Sequence, residues 1–213
     1  MKTIQECLLY GIVDTGYVRD ENILIMTKHL LQGGVDIIQL RAKKNSSEEI
    51  LTMAKKMAPL CSAASVPFIL NDHPELVREA GASGAHVGQE ALSLAEARLL
   101  AGPNAIIGKS THSLKQALET IKEAPDYIGF GPLFSTPTKP DYLPIGIQDL
   151  REVHNLISLP IFCIGGIKFT NLPEVLDAGA RRVVIVSDLL LAEDPTERTA
   201  SSKKLLKSRF PTS

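Results

Sequence analysis

Six times along the chain a short apolar run gives way at once to a compact polar or glycine-rich cluster. The first is Gln39-Leu40-Arg41-Ala42-Lys43 after VDII. Side chains alternate across a strand, so Gln39, Arg41 and Lys43 share one direction while Leu40 and Ala42 take the other. An amide beside two cations suits a diphosphate, because arginine offers a planar fork of donors and lysine a compact charge. Asn71-Asp72 after FIL adds an amide and a carboxylate, a pair fit to hold a ligand and a hard cation such as Mg2+. The same dipeptide is also a common turn and helix-capping pair. Gly108-Lys109-Ser110-Thr111-His112 after AII contains His112, an acid or base candidate. Thr136-Pro137-Thr138-Lys139 after YIGFGPLF supplies hydroxyls and a further cation, again suited to oxyanions. Gly165-Gly166 after IFCI and Val186-Ser187-Asp188 after RVVI fall where backbone N–H groups bind phosphate in an α/β barrel.

Gathered together, these groups amount to three cations (Arg41, Lys43, Lys139), one metal carboxylate and a separate glycine-lined phosphate pocket. That combination implies two phosphorylated ligands. No Cys or Ser sits in a strained nucleophile elbow, no lysine is isolated in an apolar strand as a Schiff base requires, and no GxGxxG occurs. The expected chemistry is therefore driven by the substrate, with the protein stabilising a leaving diphosphate. The other histidines have plainer expected roles. His86 is expected to be satisfied by neighbours within or beside the core, His29 and His154 lie in helical segments, and His73 opens a helix.

The elements that must position these groups alternate regularly. Strand-like runs lie at Leu8–Val13, Asp36–Leu40, Pro67–Leu70, Gly84–Val87, Ala105–Ile107, Tyr127–Phe130, Ile161–Ile164 and Arg182–Val186. Helical spacing marks Glu21–Leu31, Ser47–Ala63, Pro74–Gly81, Ser93–Ala101, Ser113–Glu123, Ile147–Ile157, Leu172–Gly179 and Pro195–Lys207. Ser46-Ser47-Glu48-Glu49 and Ser93-Leu94-Ala95-Glu96 carry helix-start signals, and Gly81, Gly102 and Gly179 mark ends. A βα repeat of about 25 residues implies parallel strands with right-handed crossovers, closed most economically as an α/β, single-domain (β/α)8 TIM barrel. A doubly wound open sheet is the alternative. The clusters would then share one rim, with Leu133–Ile145 as a partly mobile lid and Arg209–Ser213 as a frayed tail.

Composition narrows the function classes. With 213 residues, 44% hydrophobic and 22% charged, the chain fits one soluble domain spanning 1–213, and no run reaches the ~20 apolar residues of a membrane span. A net charge of −1 offers no global field for polyanions, so neither nucleic acid nor a membrane surface is an expected partner. Cys7, Cys61 and Cys163 are widely spaced in apolar runs and read as structural thiols. An acidic, short-cored start unlike a secretory signal leads to the expectation of a cytoplasmic protein acting on small molecules, and leaves a homo-oligomer open.

In this order the clusters resemble the thiamine phosphate synthase family. The similarity runs from about Leu8 to Pro195 and is carried by QLRAK at Gln39–Lys43, FILND at Phe68–Asp72 and GAHVGQE at Gly84–Glu90. It continues through GKSTHS at Gly108–Ser113, DYIGFGPLFSTPTK at Asp126–Lys139, IGGI at Ile164–Ile167 and VVIVS at Val183–Ser187. The resemblance implies a Mg2+-dependent transferase that joins a hydroxymethylpyrimidine diphosphate to a thiazole phosphate on a (β/α)8 barrel, releasing pyrophosphate. It sets the pyrimidine diphosphate against Gln39, Leu40, Arg41, Ala42, Lys43, Asn71, Ser110 and Lys139, of which Arg41, Lys43, Ser110 and Lys139 carry catalysis. It sets the thiazole phosphate against Thr136, Pro137, Thr138, Gly166, Val186 and Ser187, and the metal on Asp72. One departure is visible: the family usually has a second metal aspartate where this chain has Ala91, so Glu90 or water would fill that place. Related thiazole tautomerases, which share the barrel and a histidine like His112, are the alternative enzyme. A non-catalytic protein that binds or senses thiamine intermediates is the alternative of another class.

Overall fold

The apolar runs become strands because both of their faces are covered, one by the barrel interior and the other by helices. A computed structural model describes residues 2–136 and 143–210. The strands are β1 (Leu9–Asp14), β2 (Ile37–Arg41), β3 (Phe68–Asn71), β4 (Gly84–Val87), β5 (Ile106–Thr111), β6 (Tyr127–Phe130), β7 (Ile161–Cys163) and β8 (Arg182–Ile185). All are parallel and follow chain order, and β8 pairs with β1 to close the barrel. The helices are α1 (Ile23–Gln32), α2 (Ser47–Ala63), α3 (Val77–Ala80), α4 (Leu94–Ala101), α5 (Leu114–Thr120), α6 (Leu150–Leu156), α7 (Leu172–Asp177), α8 (Ser187–Leu190) and α9 (Pro195–Arg209).

Strand parity divides the core in two. Tyr10, Ile12, Ile37, Ile69, Tyr127, Phe162 and Val184 fill the barrel, while Leu9, Val13, Ile38 and Leu40 pack outward against helices. Inside, the ring of Phe162 meets those of Tyr10 and Tyr127 edge-on at 5.4 Å each. Gly108 makes this possible, because a Cβ there would run into the Tyr127 ring.

The end of the barrel away from the polar clusters is tied by Asp36, just before β2. Its carboxylate accepts from Leu8 N at 2.9 Å, Leu9 N at 3.0 Å and Lys2 Nζ at 2.7 Å, and from Lys203 Nζ on α9. Burial alone would push this carboxyl up, but the Leu9 N–H, Lys2, Lys203 and Leu8 N–H outweigh it and hold Asp36 below its ordinary range.

The expected barrel is present, with local corrections. The two capping boxes at Ser46/Glu49 and Ser93/Glu96 form as expected. β5 runs on to Thr111, past the apolar Ala105–Ile107, because its polar residues still complete the barrel ladder with Phe130 and its neighbours. The Pro74–Gly81 and Ser113–Glu123 helices each divide into an α segment and a 3-10 turn, and α6 starts at Leu150 rather than Ile147. The short α8 was not expected. Arg209 belongs to α9 and its guanidinium meets Asp177 at 3.0 Å, so the expected fraying there does not occur; residues 211–213 lie outside the described residues. The expected lid is anchored at both described ends, through Phe134 N to Gly165 O at 3.0 Å and Ile145 N to Pro132 O at 2.8 Å. Its residues 137–142 lie outside the described residues.

Candidate active site

The strand ends converge on one rim, and inward parity selects which side chains reach it. On β2, Gln39 and Arg41 turn into the mouth cavity, whereas Leu40 and Ala42 are buried in the outer core and do not line it. The two residues assigned to the substrate by resemblance are thus packing side chains. Arg41 meets Asp14, its direct neighbour on β1, at 2.6 Å; Asp14 is only 2% exposed. Asp14 was not among the expected site residues, although its position two strand steps beyond Ile12 puts it on the inward face. The pair leaves Arg41 Nε buried with no hydrogen-bond partner among the described residues. A buried donor of that kind invites an acceptor oxygen from a ligand.

Lys43 continues past the strand and pairs with Asp72. Asp72 sits in the left-handed region at φ 61° and also accepts from Asn71 Nδ2 at 2.7 Å and Gly88 N at 3.3 Å. Burial would raise its carboxyl, but Lys43 together with the His86 ring and the Gly88 N–H holds it below its usual range, so it is anionic at neutral pH. These residues border a cavity of about 300 Å3 that Glu90 and Ala91 also line. The volume is at the lower end for a ligand cleft.

Across the mouth, Gly165 and Gly166 turn with φ of 100° and 65°, where a Cβ would be strained. Their backbone lies against Pro132 and Phe134, and together with Thr136, Val186 and Ser187 they line the opposite wall. Ser187 opens α8. Leu189 N and Leu190 N bond Val186 O at 3.0 and 3.1 Å, so a phosphate at this turn would rest on the Ser187 and Asp188 N–H groups. Asp188 turns away to bind Phe169 N at 2.8 Å and Arg198 at 3.0 Å, and Lys109 faces outward to Glu123 at 3.1 Å, so neither serves the rim. Pro137, Thr138 and Lys139 lie outside the described residues.

The two cavities share Asn71, His86 and Ser110. His86 is therefore not only a satisfied histidine beside the core. Its ring stacks on Tyr127 at 5.5 Å, Nδ1 meets Tyr127 Oη at 3.1 Å and Nε2 meets Ser110 Oγ at 2.9 Å. The sequence hid this because Tyr10, His86 and Tyr127 sit within apolar runs; strand parity was the available signal, since all three face inward. His112 lines the mouth, and its Nδ1 lies 2.5 Å from Gly131 O. A carbonyl only accepts, so Nδ1 carries the proton there.

Residues 9–189 match the sequence profile of the family described as thiamine monophosphate synthase. The chain belongs to the thiamine monophosphate synthase family. Within it, the thiamine-phosphate synthase of Shouchella clausii is 41% identical over 187 residues, covering 87% of this chain and 90% of that protein. The thiamine-phosphate synthase of Thermus thermophilus is 43% identical over 182 residues, covering 84% and 86%. The solved thiamine phosphate pyrophosphorylase of Pyrococcus furiosus superposes with a TM-score of 0.88 at 30% identity, covering 97% of this chain and 98% of that one. Thiamine monophosphate synthase membership raises the question of a metal. Among the described residues no group of three or more His, Cys, Asp or Glu side chains is arranged to hold one. Mg2+ nevertheless needs only one or two protein carboxylates when substrate phosphates and water complete its shell. Asp72, with Glu90 on the same cavity wall, fits that demand. No helix among the described residues is long and apolar enough to cross a membrane.

Proposed function

We propose that this protein condenses 4-amino-2-methyl-5-hydroxymethylpyrimidine diphosphate with 4-methyl-5-(2-phosphooxyethyl)thiazole to give thiamine phosphate and pyrophosphate. The observation that carries the reading is the pair of adjoining cavities, one lined by Lys43 and Asp72 and the other by Gln39 and Arg41 opposite the glycine turn, meeting at Asn71, His86 and Ser110. Two phosphorylated substrates need two anion sites and a common wall where they react.

In this reading the pyrimidine diphosphate lies against Gln39, Arg41, Lys43, Asn71, Ser110 and Lys139, with Leu40 and Ala42 contributing backbone only. The thiazole phosphate lies against Thr136, Pro137, Thr138, Gly166, Val186 and Ser187. The C–O bond to the diphosphate breaks with its electron pair leaving on pyrophosphate. The thiazole nitrogen then donates its lone pair to the pyrimidine methylene cation and forms the C–N bond. Every atom is accounted for without a protein nucleophile. Arg41, Lys43 and Lys139 offset the charge that develops on the leaving group, and Ser110 donates a hydrogen bond to it. Bound Mg2+ supplies further neutralisation of that charge. Asp72 would hold the ion, with Glu90 or water in the place Ala91 leaves. Three buried, unpaired cysteines support a reducing, cytoplasmic setting.

A thiazole tautomerase remains the rival, since His112 has Nδ1 fixed and lines the mouth. Activity measured in Asp72→Ala and His112→Ala separates them. The synthase reading expects Asp72→Ala to lose condensation; thiazole isomerisation lost only in His112→Ala and kept in Lys139→Ala, without condensation by the native chain, sinks it.

A further inference from the structure

A hydrogen-bond chain of five residues, all lining the mouth cavity, crosses the barrel interior. Gln39 Nε2 lies 2.6 Å from Tyr10 Oη, which lies 3.0 Å from Tyr127 Oη. Tyr127 Oη lies 3.1 Å from His86 Nδ1, and His86 Nε2 lies 2.9 Å from Ser110 Oγ. Inward residues of β1, β6 and β4 thus lead to a serine in the wall that both cavities share.

Proton counting sets the direction. An amide nitrogen only donates, so Tyr10 Oη accepts from Gln39. If Tyr127 also donated to Tyr10, the Tyr10 proton would be buried without an acceptor, a cost of about 1–3 kcal/mol. Tyr10 therefore donates to Tyr127, and Tyr127 donates to His86 Nδ1. Burial raises both phenols, so both keep their protons. With Nδ1 an acceptor, the neutral imidazole carries its proton on Nε2 and donates it to Ser110 Oγ. The Ser110 proton then has no place on His86 and turns to the cavity.

We propose that Tyr10, Tyr127 and His86 are positioning residues that hold His86 in the Nε2–H form and thereby aim the Ser110 hydroxyl, as a donor, at an anionic oxygen of the bound diphosphate. A diphosphate needs donors and repels a lone pair, so the relay converts an amphoteric serine into a committed donor. The opposite polarity would follow from a reversed Gln39 amide, with Ser110 donating to His86 and presenting lone pairs to the anion. The inference deepens the synthase reading and rests on it for the identity of the anion.

The test uses full-length protein labelled with 15N-histidine, and long-range 1H–15N correlation reads the tautomer without turnover, His86 being assigned from the signal lost in His86→Asn. The native protein is expected to show Nε2–H at His86, and Tyr10→Phe and Tyr127→Phe are each expected to scramble it. Inorganic pyrophosphate should bind about 5- to 10-fold more weakly to Tyr127→Phe, the worth of one aligned hydrogen bond. In a Ser110→Ala background, Tyr127→Phe should cost nothing further. An Nδ1–H tautomer in the native protein overturns the proposal, as do Tyr127→Phe and Ser110→Ala losses that multiply in the double variant. Tyr10→Phe, one hydrogen bond further along the chain from Ser110, supplies the same readings if Tyr127→Phe does not fold. Failure of condensation with the expected tautomer and pyrophosphate losses intact counts against the synthase reading and leaves the relay standing.

Discussion

Replacing Gly166 with alanine tests the division of labour between the two walls. Gly166 has φ 65°, and a Cβ there would meet Phe134 Cβ at 2.7 Å and Ser135 O at 2.9 Å. Alanine in the left-handed region costs about 1–2 kcal/mol. The contacts add to this because Ser135 O is backbone and Phe134 Cβ is fixed to it, so neither swings aside. Relief by a backbone shift of several tenths of an ångström adds about 1 kcal/mol, for a total of ~2–3 kcal/mol. At ~2–4 °C per kcal/mol for a chain of this size, Tm should fall by about 5–10 °C. The same shift moves the turn that leads to Thr136 and the N–H groups assigned to the thiazole phosphate. Loss of one or two aligned N–H donors, ~1.5–3 kcal/mol, raises KM for the thiazole phosphate by about 10- to 100-fold. Steady-state kinetics in each substrate, below the lowered Tm, separate the effects. KM for the pyrimidine diphosphate should stay within about twofold. A rise in that KM instead, with the thiazole KM unchanged, refutes the assignment of the glycine wall.

Substitutions at three further positions address other parts of the molecule. Asp36→Ala leaves Lys203, which is 7% exposed, without its buried partner, and should cost about 3–5 kcal/mol, measured by urea denaturation. Because the folded Asp36 carboxyl lies below its ordinary value of about 3.9, its contribution is present above that pH and lost as pH falls through the folded value. Native stability should therefore drop below about pH 4, and the Asp36→Asn protein should lose less over that window; equal losses contradict the assignment. Asp72→Ala should abolish condensation, and Ala91→Asp should lower the Mg2+ concentration for half-maximal rate. An unchanged Mg2+ titration in Ala91→Asp counts against placing a metal in the cavity that Ala91 lines.

The barrel was legible because each strand is covered on both faces and each carries an apolar run ending in polar residues. Alternation then correctly put Gln39 and Arg41 inward and Leu40 and Ala42 outward, and the outward pair shows how a motif match assigns neighbours to a ligand that parity assigns to the core. Where polar residues lie inside a strand, as at Lys109 and Ser110, the apolar signal stops early although the ladder continues to Thr111. Asp14 carries no signal in the sequence because a single carboxylate closing an apolar run has no local pattern; only the register beside Arg41 gives it meaning. Tyr10, His86 and Tyr127 were hidden by hydrophobic neighbours, and their hydroxyl and ring contacts join β1, β4 and β6. Partners so far apart in the chain are set by barrel closure, which no local window contains.

Condensation is tested most directly by incubating purified protein with the pyrimidine diphosphate, the thiazole phosphate and Mg2+ and quantifying thiamine phosphate and pyrophosphate together. Equal molar amounts of both products, appearing only when both substrates are present, are the predicted result. No thiamine phosphate at any Mg2+ concentration contradicts it.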